Sequence, residues 1–153
     1  MEIDESMTNG DAAYRRLPPN PCFSDMMFFD PPYEFRAGQV MSPGMCIRAT
    51  STPEYADHVI MSSAVACLYR GAAPASDIVG NTAVPAMADV VLPTPELDQN
   101  YGEYTVTVQF SWNHVVIRDP GIYYWAIYIN GRIQNNAVTS LGVYHSQAFE
   151  VTE

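Results

Sequence analysis

The residues of this chain with the means for catalysis or metal binding are three histidines, three cysteines and 17 acids. His58, His114 and His145 stand far apart and fit no H-x-H, H-x3–5-H or H-E-x-x-H spacing. Zinc needs about four nitrogen or sulfur ligands converging as a tetrahedron, and close spacing is the usual sign of them. A site joining His58 to Cys46 or Cys67 would have to be built by the fold alone. The simpler reading is three ordinary surface or edge histidines and no metal. The G-x5-H-x-H pattern of metal-binding jelly-roll enzymes does not occur. A cysteine nucleophile needs a setting that stabilises its thiolate, and the neighbours of Cys22, Cys46 and Cys67 supply none. G-x-S-x-G, P-loop and G-x-G-x-x-G motifs are missing as well. No catalytic residue and no cofactor is assigned, and the chain is read as a non-enzyme.

Two further groups could still do chemistry. Asp89, Glu96, Asp98 and Glu103 gather around Pro93-Thr94-Pro95. Two carboxylates roughly 5–10 Å apart across a cleft can hydrolyse a glycoside, and oxygen ligands of this kind hold Ca²⁺. Charge runs usually face water, so a solvated acidic loop is the simpler reading and an acid-loop hydrolase ranks last. Aromatic residues crowd the C-terminal half, where Tyr124 and Tyr128 share one face of an alternating segment. Tyrosine suits places where one end of the ring is apolar and the other wet. Tyr124 and Tyr128 are therefore the candidate platform for a glycan or small ligand.

The arm before the domain carries Arg15-Arg16-Leu17-Pro18-Pro19-Asn20-Pro21, which fits the R-x-L-P-P-x-P form that SH3 domains read. Proline-rich stretches are also semi-rigid spacers, and that is the preferred reading. The next residues differ in kind. Phe23, Met26, Met27, Phe28, Phe29, Tyr33 and Phe35 are too apolar to leave in water, so they are expected to dock on the domain or on a partner.

Net charge is −10, with 17 acids against seven arginines and no lysine. Such a chain repels phosphate backbones and anionic lipid, which argues against nucleic-acid and membrane partners. Charged residues are 16 % of the chain, below the ordinary ~25 %, so much of the surface must be neutral. An odd cysteine count at long spacings does not suggest a disulfide framework. The first residues lack a basic start followed by an apolar run, so no signal peptide is expected. No apolar run reaches the ~18 residues of a transmembrane helix. Together these point to a cytoplasmic or virion protein.

The elements that must position these residues read as strands. Tyr104, Val106, Val108, Phe110 and Trp112 alternate with Thr105, Thr107, Gln109 and Ser111, the period of a half-buried antiparallel strand. Residues 122–129 are apolar or aromatic on both faces, as in a strand covered on both sides. Asn130-Gly131 then predicts a type I′ hairpin with a return strand from Arg132. Segment 58–69 is read as a strand, 71–87 as a long loop or short helix, 88–92 as a short strand, and 137–144 and 148–151 as closing strands. About seven to nine short strands without a long amphipathic helix predict an all-β fold, an antiparallel sandwich or small barrel. The division is an extended Pro-rich arm over 1–36, with 22–36 its apolar docking segment, and a β-sandwich domain over 37–153.

Asp119-Pro120-Gly121-Ile122-Tyr123 is similar to the D-x-G-x-Y pattern that precedes strand F of immunoglobulin-like domains. Trp125 stands where the disulfide-bonded members have their second cysteine, so the stretch over about 101–135 resembles the cysteine-less branch of these sandwiches. The resemblance implies a tyrosine hydroxyl bonded back to the backbone at an inter-strand corner. The chain departs from the pattern in lacking a strand C tryptophan, since Trp112 precedes the motif. An immunoglobulin-like or jelly-roll-like sandwich hosts many functions. The expectation is a structural or interaction module, a subunit of an assembly such as a virion or phage particle. It would dock through its arm onto a protein partner or another copy, with glycan binding as the alternative. Removing residues 1–36 is then expected to leave a folded domain that no longer assembles.

Overall fold

A computed structural model describes residues 13–31, 34–41, 44–71, 84–85, 90–91, 94–132 and 137–153. In chain order its strands begin with β1 (Ala13–Arg16), β2 (Phe23–Asp30), β3 (Glu34–Arg36), β4 (Val40–Met41) and β5 (Met45–Ser51). A 3-10 turn (Pro53–Tyr55) leads into a short helix α1 (Ala56–Ile60), followed by β6 (Ser63–Arg70), β7 (Val84–Pro85) and β8 (Val90–Val91). The second half holds β9 (Glu96–Tyr101), β10 (Val106–Trp112), β11 (Val115–Ile117), β12 (Gly121–Arg132), β13 (Val138–His145) and β14 (Phe149–Thr152).

The strands form an all-β sandwich whose sheets are not closed into a barrel. One sheet runs β1-β2-β5-β10-β9, a larger one β3-β14-β12-β6-β7 with β13 also on β12, and a small third one β4-β11-β8. Pairing is antiparallel except for β3 on β14. Alternation explains the layers. Phe23, Met26 and Phe28 of β2, Ile47 and Ala49 of β5, and Val106, Val108, Phe110 and Trp112 of β10 point inward from the five-stranded sheet. They meet Ala66 and Leu68 of β6 and Tyr123, Trp125, Ile127 and Ile129 of β12 in one buried cluster. Helix α1 plugs one side with Val59, which is fully buried.

Strand β12 is the spine of the larger sheet. It pairs with β6 along one edge from Tyr123 to Asn130. Along the other edge it takes β14 at Gly121–Tyr123 and β13 at Ala126–Arg132. The buried Ser146 sits where those two short strands meet, and its hydroxyl accepts the Trp125 amide at 2.8 Å.

Several local expectations change. Segment 58–69 is not one strand: residues 56–60 are helical, and the strand starts at Ser63. Five residues are too few to show a helical period, so the apolar alternation of the following strand dominated the reading. Asn130-Gly131 is not a hairpin turn, because β12 continues through both residues to Arg132. Gly131 is needed for space: a Cβ there would lie 2.8 Å from the His58 carbonyl oxygen and 2.9 Å from Leu141 Cδ1. The register shifts at this point, with Ile129 opposite Gly142 and Asn130 opposite Ser140, leaving Leu141 as a bulge. Tyr104 lies before β10 and is 71 % exposed. The predicted loop 71–87 falls almost wholly outside the described residues, whereas the short strand expected at 88–92 has its backbone counterpart in β8. The chain is not free of cysteine, since Cys22, Cys46 and Cys67 are present as free thiols.

Candidate functional site: a neutral tyrosine face

The Phe/Met segment of the arm lies inside the sandwich. Phe23 and Phe28 are 0 % exposed, Met26 1 % and Phe35 5 %. They sit on β2 and β3, and β2 is hydrogen-bonded to β5 of the same chain. Met27 and Phe29 alternate to the other face and are half-buried. Tyr33 lies outside the described residues. The Pro-rich stretch forms the link from β1 to β2. The Leu17 amide donates to the Met26 carbonyl, and the Asn20 side chain accepts from the Cys22 and Phe23 amides while donating to the Tyr144 hydroxyl.

The two sheets are also joined by a polar clasp. Asp30, 5 % exposed, accepts from Arg15 Nε at 2.8 Å and from the Gln147 amide at 3.0 Å. Arg15 Nη2 reaches on to the His145 carbonyl at 2.6 Å. Burial pushes the Asp30 carboxyl above its ordinary range, against the opposing pull of Arg15.

At the other end of β12, the Tyr123 hydroxyl donates to the Asp119 carbonyl at 2.8 Å and accepts from Arg70 Nη2 at 2.9 Å. The Arg70 guanidinium lies 4.8 Å from the centre of the Tyr123 ring. Gly121 makes this approach feasible, because a Cβ there would stand 2.7 Å from Arg70 Nη1. Replacing Tyr123 by Phe removes both hydrogen bonds but keeps the ring, and is expected to cost about 1–2 kcal/mol, measured by urea unfolding. A change below a few tenths would show that the hydroxyl does not hold this corner.

The outer face of the larger sheet gathers what the inner face does not use. Cross-strand register sets Tyr69 of β6 beside Tyr124 of β12, Cys67 beside Ala126, and Val65 beside Tyr128. On the far side of β12, His145 and Val143 of β13 stand opposite Ala126 and Tyr128. The Tyr69 and Tyr124 rings stack at 5.5 Å, and His145 meets Tyr124 edge-on at 6.4 Å. Tyr69 and Tyr128 lean toward each other across the Cys67–Ala126 pair until their hydroxyls lie 3.0 Å apart. The Tyr128 hydroxyl bond, then burial, pushes the Tyr69 phenol up, and burial raises Tyr124, so both stay neutral. Tyr124 is only 3 % exposed, whereas Val65 on this face is 53 % exposed and Ile122 51 %. None of these residues is an acid or an arginine; among the described residues charge returns at the margins, with Arg132 at the end of β12, Glu150 on β14, and Glu34 and Arg36 on β3.

The other candidates do not come together. Glu96 and Asp98 lie exposed on β9 and Glu103 in the turn after it, while Asp89 falls outside the described residues. His58 is on α1 beside Tyr55, His114 is exposed, and His145 is on β13. Among the described residues no three of His, Cys, Asp and Glu are placed to hold a metal ion. Burial raises all three cysteine thiols above their ordinary value, which keeps them protonated and poorly nucleophilic. Among the described residues no helix is long and apolar enough to cross a membrane. Sequence reasoning found Tyr124 and Tyr128 but missed Tyr69, Val65 and Cys67. The alternation of 63–70 held the signal, and β6–β12 register turns it into a surface. Compared with protein families, with curated proteins and with solved structures, the chain matches none.

Proposed function

We propose that this chain is a non-enzymatic, structural β-sandwich of the immunoglobulin-like kind, a subunit of a larger assembly such as a virion or phage particle. It associates with copies of itself through the outer face of β6, β12 and β13. The carrying observation is that the middle of this face, from Ile122 to Tyr128 on β12 with Val65 to Tyr69 of β6 beside it, bears no acid or arginine although the chain has a net charge of −10, and Arg132 stands only at its far end. Like-charged copies repel everywhere except where charge is missing, so a neutral apolar sheet face is the surface on which they can meet. Val65 and Ile122, each about half exposed, are the side chains such a contact would bury. The bond from Tyr123 to the Asp119 carbonyl supports the immunoglobulin-like assignment, since a tyrosine corner makes this type of contact. The glycan alternative is weaker, because sugars stack on open rings and Tyr124 is buried.

Sedimentation over a concentration series tests the reading. The wild-type chain is expected to self-associate, and the pair Val65→Glu and Ile122→Glu to weaken association at least tenfold while melting like the wild type. A wild type that stays monomeric to hundreds of micromolar, or a variant that associates equally well, would overturn it.

A further inference from the structure

Strand β9 closes one end of the five-stranded sheet and, among the described residues, pairs only with β10. It is an unusually open edge. All its side chains are exposed except Gln99, which is half-buried. The inward row of β9 is Leu97, Gln99 and Tyr101, in register with the core residues Phe110, Val108 and Val106. Leu97 is nevertheless 44 % exposed and Tyr101 66 %. The core row thus continues one strand further than the material covering it, and Met61 after α1 is also 50 % exposed. The edge is held firmly. Gln99 Nε2 donates to the Ile60 carbonyl at 2.7 Å, the Tyr101 hydroxyl donates to Gln99 Oε1 at 3.1 Å, and the Gly102 amide donates to the Thr105 carbonyl in the turn to β10.

The outward row is Glu96, Asp98 and Asn100, opposite the neutral Ser111, Gln109 and Thr107. A second copy of β9 laid against the first would bring acids beside acids, which disfavours sheet pairing. A strand carrying Lys or Arg on one face and apolar side chains on the other meets the reverse situation. Its basic residues would lie beside Glu96 and Asp98, and its apolar ones would cover Leu97 and Tyr101. We propose that β9 receives an extended basic–apolar segment of a different protein as an added strand, with main-chain hydrogen bonds giving affinity and the alternating rows giving selectivity. This site is separate from the tyrosine face, so either can fail without the other.

The probe is a fluorescein-labelled hexapeptide of alternating Arg and Val, titrated with the full chain and followed by anisotropy. Binding is expected at low salt and should weaken as salt is raised. A Glu–Val peptide, and an Arg–Val peptide with alternate amides N-methylated, are each expected to bind at least tenfold more weakly. The variant carrying Glu96→Arg and Asp98→Arg should reverse the preference toward the Glu–Val peptide. Equal binding of the N-methylated peptide would reduce the site to charge attraction and overturn strand addition. Failure of the Arg–Val peptide to bind, or a double variant with unchanged preference, would overturn the proposal too. Self-association lost in Asp98→Arg with no peptide bound would give the edge to a second copy and equally refute it.

Discussion

Cutting the chain after Arg36 is expected to leave residues 37–153 unable to fold. Read as sequence, 1–36 looks like a removable arm, and its loss should spare the domain. In the structure that cut removes β1, β2 and β3 together and takes Phe23, Met26, Phe28 and Phe35 out of the core. Each buried side chain of this size is worth about 2–5 kcal/mol, against a total stability of about 5–15 kcal/mol for a domain. The loss is comparable to the whole, and it also bares the edge of β5 to which β2 was bonded. Circular dichroism and urea titration of the 37–153 fragment should show no cooperative transition. A fragment that unfolds in one sharp step would mean the sandwich is complete without β2.

Asp30→Ala is expected to cost about 3 kcal/mol, because it removes the carboxylate that accepts from Arg15 Nε and from the Gln147 amide in a largely buried site. The pH dependence has a definite sign. Burial raises the Asp30 carboxyl above its ordinary 3.8, outweighing Arg15 and His145, which lower it. A carboxyl with a higher pKa folded than unfolded binds its proton more tightly in the fold. Its favourable contribution is therefore complete below the unfolded value and is lost as pH rises through the raised folded one. The stability deficit of Asp30→Asn relative to the wild type should be largest near pH 4 and shrink toward pH 7. Melting temperatures of the two proteins across that range check it, and a deficit that grows with pH would mean attraction to Arg15 outweighs burial.

The strands were legible wherever one face is wet. Val106, Val108, Phe110 and Trp112 announced β10 because threonine and serine separate them. The two-sided apolar run of β12 announced its central place. Asn130-Gly131 misled because local turn chemistry and tight packing both favour glycine. Only the neighbours of Gly131, His58 and Leu141, show which cause applies here. The apolar character of 23–35 was plain, but alternation does not say which chain supplies the opposing layer. The tyrosine face was half legible: Tyr124 and Tyr128 share a face by period, while Tyr69 joins them through a pairing some 60 residues away in sequence.

The position of β5 between β2 and β10 also has a consequence during synthesis. One neighbour leaves the ribosome shortly before β5, whereas the other comes much later, with Thr107 meeting Thr50. At about 5–20 residues per second, that delay lasts roughly 3–12 s. Throughout it, nascent β1, β2 and β5 can pair only among themselves, holding Phe28 beside Ile47 before Tyr123, Trp125 and Ile127 of β12 are made to cover them. A chaperone, or a sister chain on the same polysome, meets that sticky ribbon before its own second layer does.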